Sequence, residues 1–209
     1  NKLPQQLRDN LIQKVRINKI LQEINVLNIE TSFLNLCSLG DISDKDFLNS
    51  ISRSINTYLF IHSQSILLYF KIFNLIINKL DKDFTDTDNN LRINDIKKSF
   101  IDNTFRICQF SFINDQNHSC AYFIGLLIQN GHLSIECAHK FLKLINEPIL
   151  SRNIATGLVY FLFGCCRRLN DEAPQLLNEL FDILDSKITS FQKPAFYLLK
   201  ELKDIINQN

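Results

Sequence analysis

Apolar residues recur every three or four positions along almost the whole chain, and each apolar stretch ends at a short polar segment. The clearest stretch runs from Ile154 through Leu158 and Leu162 to Cys166, with about one helical turn between successive residues. This spacing predicts amphipathic helices, because it places the apolar side chains on one helix face. Ten such stretches predict ten helices joined by connections of about two to six residues. We therefore expect an all-α fold.

Glycine, proline and short polar residues mark several expected helix ends. Gly131 follows an apolar stretch, as glycine does at the C-terminal end of many helices. Ser43 and Asp46 resemble a capping box, which predicts that a helix begins there. Asp171 and Pro174 predict the start of a later helix, since proline is favoured in the first turn.

Two apolar stripes are expected to face the core. The stripe of the first helix consists of Leu7, Leu11, Val15 and Ile20. The stripe of the helix after Ser151 consists of Ile154, Ala155, Leu158, Val159, Leu162, Phe163 and Cys166. The second stripe is predicted to pack against Leu177, Leu180 and Leu184 of the following helix.

Residues 81–92 interrupt the helical pattern with an acidic, asparagine-rich segment. We predict a mobile loop here and expect the next helix to begin at Asn94 or Asp95. The same apolar spacing resumes afterwards, so the segment is not expected to divide two domains. The prediction is a single helical domain over residues 1–209.

The composition supports this fold and limits the functions to consider. Only 5 glycines and 4 prolines are present in 209 residues, which is too few for the many turns of a β-sandwich. Lysine and arginine total 23 against 22 acidic residues, a net charge of +1. A strongly basic nucleic-acid binder would usually show a larger excess.

The six cysteines have no spacing typical of a disulfide framework. Each falls within an apolar stretch, so we expect reduced cysteines that fill the core. The apolar stretches are interrupted or too short to span a bilayer. We expect a soluble protein of the cytoplasm, with the nucleus as the alternative.

Motifs for catalysis are weak in this sequence. It has no glycine-rich phosphate loop and no G-x-S-x-G nucleophile motif. Glu136-x-x-His139, with His132 nearby, is half of a di-iron motif, but no second E-x-x-H occurs. The adjacent Cys165 and Cys166 continue an apolar helix, which favours a role in the core. We therefore expect no enzymatic activity, no cofactor and no metal.

Basic residues near the C-terminus are the candidate partner-binding residues. The set consists of Arg167, Arg168, Lys187, Lys193, Lys200 and Lys203, all expected to be exposed at helix ends or on outer faces. The alternative for the two arginines is structural, because cations stabilise the C-terminal end of their own helix. The lysines of the last helix alternate with acidic residues, which is also typical of an ordinary solvated face.

The helix lengths and several C-terminal motifs resemble a known family. Five antiparallel pairs of about 40 residues have the period of HEAT-type repeats, which form an α-α superhelix. The segments Tyr122–Leu127, Asn130–Ser134 and Cys137–Leu142, followed by Asn153–Leu169, are similar to the middle domain of eukaryotic initiation factor 4G. The similarity covers about residues 119–207. The first 118 residues match only in the succession of predicted helices and short connections.

The resemblance implies a non-catalytic adaptor of mRNA translation or processing. Its partner would be a DEAD-box RNA helicase, with RNA as a second candidate. The competing hypothesis is a HEAT-like structural module of a trafficking or transport assembly without a link to RNA. Neither hypothesis predicts a membrane or a small-molecule substrate as the partner.

Overall fold

The computed structural model describes residues 4–83, 90–145, 152–186 and 193–207. Over these ranges the regular structure is entirely helical, with one short 3₁₀ turn at Ser63–Ser65. The helices are α1 (Gln5–Gln22), α2 (Ile29–Ser38), α3 (Lys45–Ile61), α4 (Ile66–Asp83), α5 (Asn90–Asp115), α6 (His118–Gln129), α7 (Ile135–Ile145), α8 (Arg152–Glu172), α9 (Pro174–Ser186) and α10 (Lys193–Asn207). The all-α prediction is confirmed.

Some predicted helix ends agree with the structure and others are wrong. Gly131 follows α6 with a φ of 76°, a conformation that glycine adopts without strain, and Pro174 is the first residue of α9. The cap of α3 is Asp44 and not Ser43, because the Asp44 carboxylate accepts a hydrogen bond from the backbone N–H of Asp46. Asp171 belongs to α8, which continues to Glu172.

The predicted loop at 81–92 is shorter than expected. Helix α4 continues to Asp83, and α5 begins at Asn90 rather than at Asn94 or Asp95. The earlier start has a physical reason, since it brings Ile93 into the core at 5% exposure. Residues 84–89 lie outside the described part of the chain.

The structure divides into two compact units, Asn1–Ile107 and Cys108–Asn209, with the boundary inside α5. The single-domain organisation over residues 1–209 stays a prediction. In the first unit α1 packs against α3, and α2 packs against α4. The rings of Phe73 and Phe100 stack in its core, with centroids 4.9 Å apart. A buried hydrogen bond of 2.8 Å joins the hydroxyls of Ser52 on α3 and Thr104 on α5.

The predicted inward stripe of α1 is wrong. Leu7, Leu11 and Val15 are 55–60% exposed. The buried residues of this helix are Ile17 and Leu21, both fully covered. The buried residues of α1 thus lie in its C-terminal half, and the apolar side chains of its N-terminal half face solvent within the described part of the unit.

In the second unit α8 is the central helix and packs against α6, α7, α9 and α10. Its predicted stripe is largely confirmed, since Ala155, Leu158, Val159, Leu162 and Cys166 are buried. The facing residues Leu177, Leu180 and Leu184 of α9 are buried as well. Phe163 was misassigned, because it is 43% exposed, while Phe161 is the aromatic residue that enters the core.

Candidate partner-binding surface

The six sequence-predicted residues differ in exposure and in whether their charges are already paired within the unit. Arg167 on α8 and Lys200 on α10 are exposed. Lys193 is the first residue of α10, and its side chain is outside the described part of the chain, as is the whole of Lys187. Arg168 and Lys203 are only partly exposed and engage other side chains or carbonyls.

Arg168 is a structural arginine rather than an exposed one, because its side chain is only 21% exposed. Its Nη1 donates hydrogen bonds to the carbonyls of Ile128 and Leu133, and the second of these measures 3.2 Å. Its Nε donates to Glu172 Oε1 at 2.8 Å. The sequence suggested that this arginine satisfies its own helix end, but the carbonyl of Ile128 belongs to the last turn of α6. Arg168 therefore joins α8 to the turn that follows α6.

Lys203 likewise has its charge compensated within the unit. Its ammonium group pairs with Asp185 of α9 and lies 5.3 Å from the centre of the Phe181 ring. The shallow groove beside it also contains Asp182. Two carboxylates next to one ammonium make this location unsuitable for an acidic partner, so Lys203 is not retained as a candidate.

The close approach of α6 and α8 builds a different surface around Arg167. The two helices meet at Gly125 and Gly164, whose small size lets the backbones touch. Beside this crossing the rings of Tyr122 and Phe163 are in contact, with centroids 5.6 Å apart and planes tilted by 42°. Tyr122 is half-buried, and Phe163 presents nearly half of its surface to solvent.

Arg167 follows Phe163 by one helical turn, so the two side chains share a face of α8. Within the described residues Arg167 makes no ion pair and no side-chain hydrogen bond. We call Tyr122, Phe163 and Arg167 the aromatic–arginine face. Tyrosine and arginine are enriched among residues that dominate binding energy, and a guanidinium can hold a carboxylate or phosphate through paired hydrogen bonds.

The aromatic members of this face were missed by the sequence interpretation, which placed Phe163 in the core. A signal was nevertheless present: Tyr160, Phe163 and Arg167 recur at spacings of three and four, and two of the three carry polar atoms at their tips. A stripe of that kind is typical of a helix edge between core and solvent. The contribution of Tyr122 depends on the helix crossing, which no local pattern shows.

The cysteines offer little nucleophilic chemistry near this surface. No disulfide joins any of the six, and four are buried, whereas Cys37 and Cys137 are partly exposed, contrary to the prediction that all fill the core. Burial raises the pKa of Cys165 well above its ordinary value. Burial also raises the pKa of Cys166, with the neighbouring Arg167 acting in the opposite direction. Thiols with raised pKa values are poor nucleophiles at neutral pH.

No three histidine, cysteine or acidic side chains of the described residues lie close enough together to hold a metal ion. No helix in those same ranges is long and apolar enough to cross a membrane.

Comparisons of the chain with protein-family models, with curated proteins and with solved structures found no match.

Proposed function

We propose that this chain is a non-catalytic adaptor domain resembling the middle domain of eukaryotic initiation factor 4G. In this proposal it binds a DEAD-box RNA helicase, with RNA as a second partner, and acts in mRNA translation or processing in the cytoplasm. Its ten helices would form five antiparallel HEAT-type pairs of an α-α superhelix.

The packing inside each unit supports the fold part of the proposal. In a superhelix of paired helices, every second helix stacks on the one before it. The first unit contains this pattern in the contacts of α1 with α3 and of α2 with α4. The second unit contains it in the contacts of α8 with α6 and α10.

The observation that carries the binding proposal is the aromatic–arginine face. Arg167 is the one arginine of the Arg167–Arg168 pair whose charge is uncompensated in the described structure. It follows Phe163 by one helical turn, and the Phe163 ring contacts that of Tyr122. Both segments that build this face, Tyr122–Leu127 and Asn153–Leu169, are segments on which the family resemblance depends. The face therefore combines the chemistry of a binding hot spot with the strongest sequence similarity.

The mechanism would be positional rather than chemical. A DEAD-box ATPase works with two lobes that must adopt one productive arrangement. A preorganised helical surface that holds a lobe lowers the entropic cost of that arrangement. The α6–α8 crossing supports such preorganisation, because Arg168 and the two glycines fix the helices that bear the face.

The test is affinity capture from a eukaryotic cell extract treated with nuclease, which removes partners bridged by RNA. We expect a DEAD-box ATPase to be captured by the unmodified chain and its recovery to fall about tenfold with Arg167→Glu. Lys140→Glu is the matched control, since it reverses an exposed charge on α7 of the same unit. Vesicle-coat or nuclear-import proteins in place of the ATPase would overturn the proposal in favour of the trafficking module.

A further inference from the structure

A polar groove lies between α3 and α5 in the first unit, on the opposite half of the chain from the aromatic–arginine face. Its volume is about 400 Å³. Every lining residue is polar or charged: Lys45, Asn49, Asp95, Lys98, Ser99, Asp102, Asn103 and Arg106. Pockets for small apolar molecules are mostly lined by apolar and aromatic side chains, so this groove fits a hydrophilic ligand instead.

The charges are arranged in two levels. The exposed rim carries Lys45, Lys98 and Arg106 together with Asp95. The half-buried floor carries one carboxylate, Asp102, among the uncharged residues Asn49, Ser99 and Asn103. A ligand that fits both levels needs negative charge near the rim and hydrogen-bonding groups that reach the floor.

The rim cations are open to a ligand, whereas one amide nitrogen at the floor is covered. Within the described residues none of the three rim cations lies within 4.0 Å of a carboxylate oxygen. On the floor, the side-chain nitrogen of Asn103 is buried and has no hydrogen-bond partner in the same part of the chain. Buried polar groups are normally paired, as Ser52 and Thr104 are between these same two helices. The Asn103 nitrogen is therefore an unsatisfied donor beneath the groove, and the exposed rim cations are the groups that a ligand can reach.

We propose that this groove binds a ribose phosphate group, supplied either by single-stranded RNA or by a free nucleotide. The rim cations would hold the phosphate, and the Asp102 carboxylate would accept a hydrogen bond from a ribose hydroxyl. A polyanion without hydroxyl groups fits less well, because Asp95 and Asp102 repel it. A neutral sugar also fits less well, because it has no negative charge to pair with the three rim cations. The uncharged floor residues can bond to base edges or sugar oxygens.

This inference extends the RNA part of the proposed function to a second location. The experiment measures fluorescence anisotropy of a short labelled oligo(A) RNA, and of the DNA of the same sequence, over a series of salt concentrations. We expect RNA to bind more tightly than DNA. With Lys98→Gln and Arg106→Gln together, the slope of log affinity against log salt should become shallower by about 1.4, at about 0.7 per lost phosphate contact in single strands.

Two control variants make the result specific. Lys14→Gln with Lys19→Gln removes two exposed cations elsewhere in the first unit and should leave the slope nearly unchanged. Asp102→Asn keeps the size of the side chain and should bring the RNA-to-DNA affinity ratio toward one. Melting curves of all variants confirm that they fold.

The outcomes decide both the site and the source of the ligand. If AMP at millimolar concentration displaces the labelled RNA, a free nucleotide is a sufficient ligand. If RNA binds tightly and AMP does not displace it, the ligand is RNA. Equal affinity for RNA and DNA, or equal losses in the groove and control variants, would overturn the inference. Arg167→Glu should leave RNA binding at the groove intact, because Arg167 does not line it. A loss of RNA binding and a loss of helicase capture can therefore be told apart.

Discussion

Gly125 of α6 and Gly164 of α8 meet with their backbones in contact. A Cβ atom added to Gly164 would lie 2.8 Å from the Cα of Gly125 and 2.7 Å from the carbonyl oxygen of Tyr122. Both neighbours are backbone atoms of a packed helix, so they cannot move aside as a flexible side chain would. This contact sets the distance between the two helices that carry the aromatic–arginine face.

Gly164→Ala should destabilise the second unit by about 1–3 kcal/mol, the usual cost of overpacking a core. The loss is expected although alanine is the better helix former by about 1 kcal/mol. Thermal melting measures it. The control is Gly131→Asn, because a Cβ atom added there lies no closer than 3.8 Å to its nearest neighbour and asparagine tolerates the positive φ. Equal melting temperatures for Gly164→Ala and the unmodified chain would show that the helices separate easily.

The adjacent arginines should behave differently when each is replaced alone. Arg168→Ala removes hydrogen bonds to two carbonyls and to Glu172, and we expect a loss of about 1.5–3 kcal/mol. Arg167→Ala removes an exposed side chain and should change stability by less than about 0.5 kcal/mol. Chemical denaturation of both variants checks this difference. If Arg167→Ala were the more destabilising change, the assignment of structural and exposed roles would have to be reversed.

The number and type of the helices could be predicted because their apolar spacing is regular over many turns. The helix ends were harder to predict. Ser43 and Asp44 are both good capping residues, and only the hydrogen bond to Asp46 shows which one is used. The start of α5 was missed because the first turn has mostly polar residues, although Ile93 within it is buried.

Leu162 and Phe163 test whether the side-chain register of α8 is correct. Leu162 is fully buried, so Leu162→Ala should cost about 2–5 kcal/mol through lost burial and the cavity that remains. Phe163→Ala should cost clearly less, because that ring is already partly in solvent. The two melting temperatures, measured under the same conditions, provide the comparison. A larger effect at Phe163 would mean that the helix is rotated from the described register.

The candidate surface was only partly predictable for a related reason. Basic residues stand out in a sequence, so Arg167 could be proposed directly. Whether a cation is available depends on its neighbours in space. The carbonyls bound by Arg168 and the partners of Lys203 lie 18 to 40 positions away. Tyr122 joins the face only because two glycines from different helices meet.

The last prediction concerns His118, a histidine in a largely covered position at the start of α6. Its ring stacks on Tyr160 with centroids 5.8 Å apart, and its Nε2 atom is buried without a hydrogen-bond partner in the described residues. Desolvation lowers the pKa of His118 below its ordinary value of 6.5, while a hydrogen bond with the backbone of Asn153 acts in the opposite direction. The folded protein therefore binds this proton less readily than the unfolded chain does.

Stability should consequently be unaffected by His118 above about pH 6.5 and should fall as the pH decreases below that value, down to the lowered pKa of the folded state. One proton limits the slope to about 1.4 kcal/mol per pH unit. We expect His118→Asn, which keeps a nitrogen near the position of Nδ1, to flatten this part of the profile. His139→Asn is the control, since His139 is exposed on α7. Denaturation at a series of pH values measures the slopes, and an unchanged acid slope in His118→Asn would show that protonation of this histidine does not destabilise the fold.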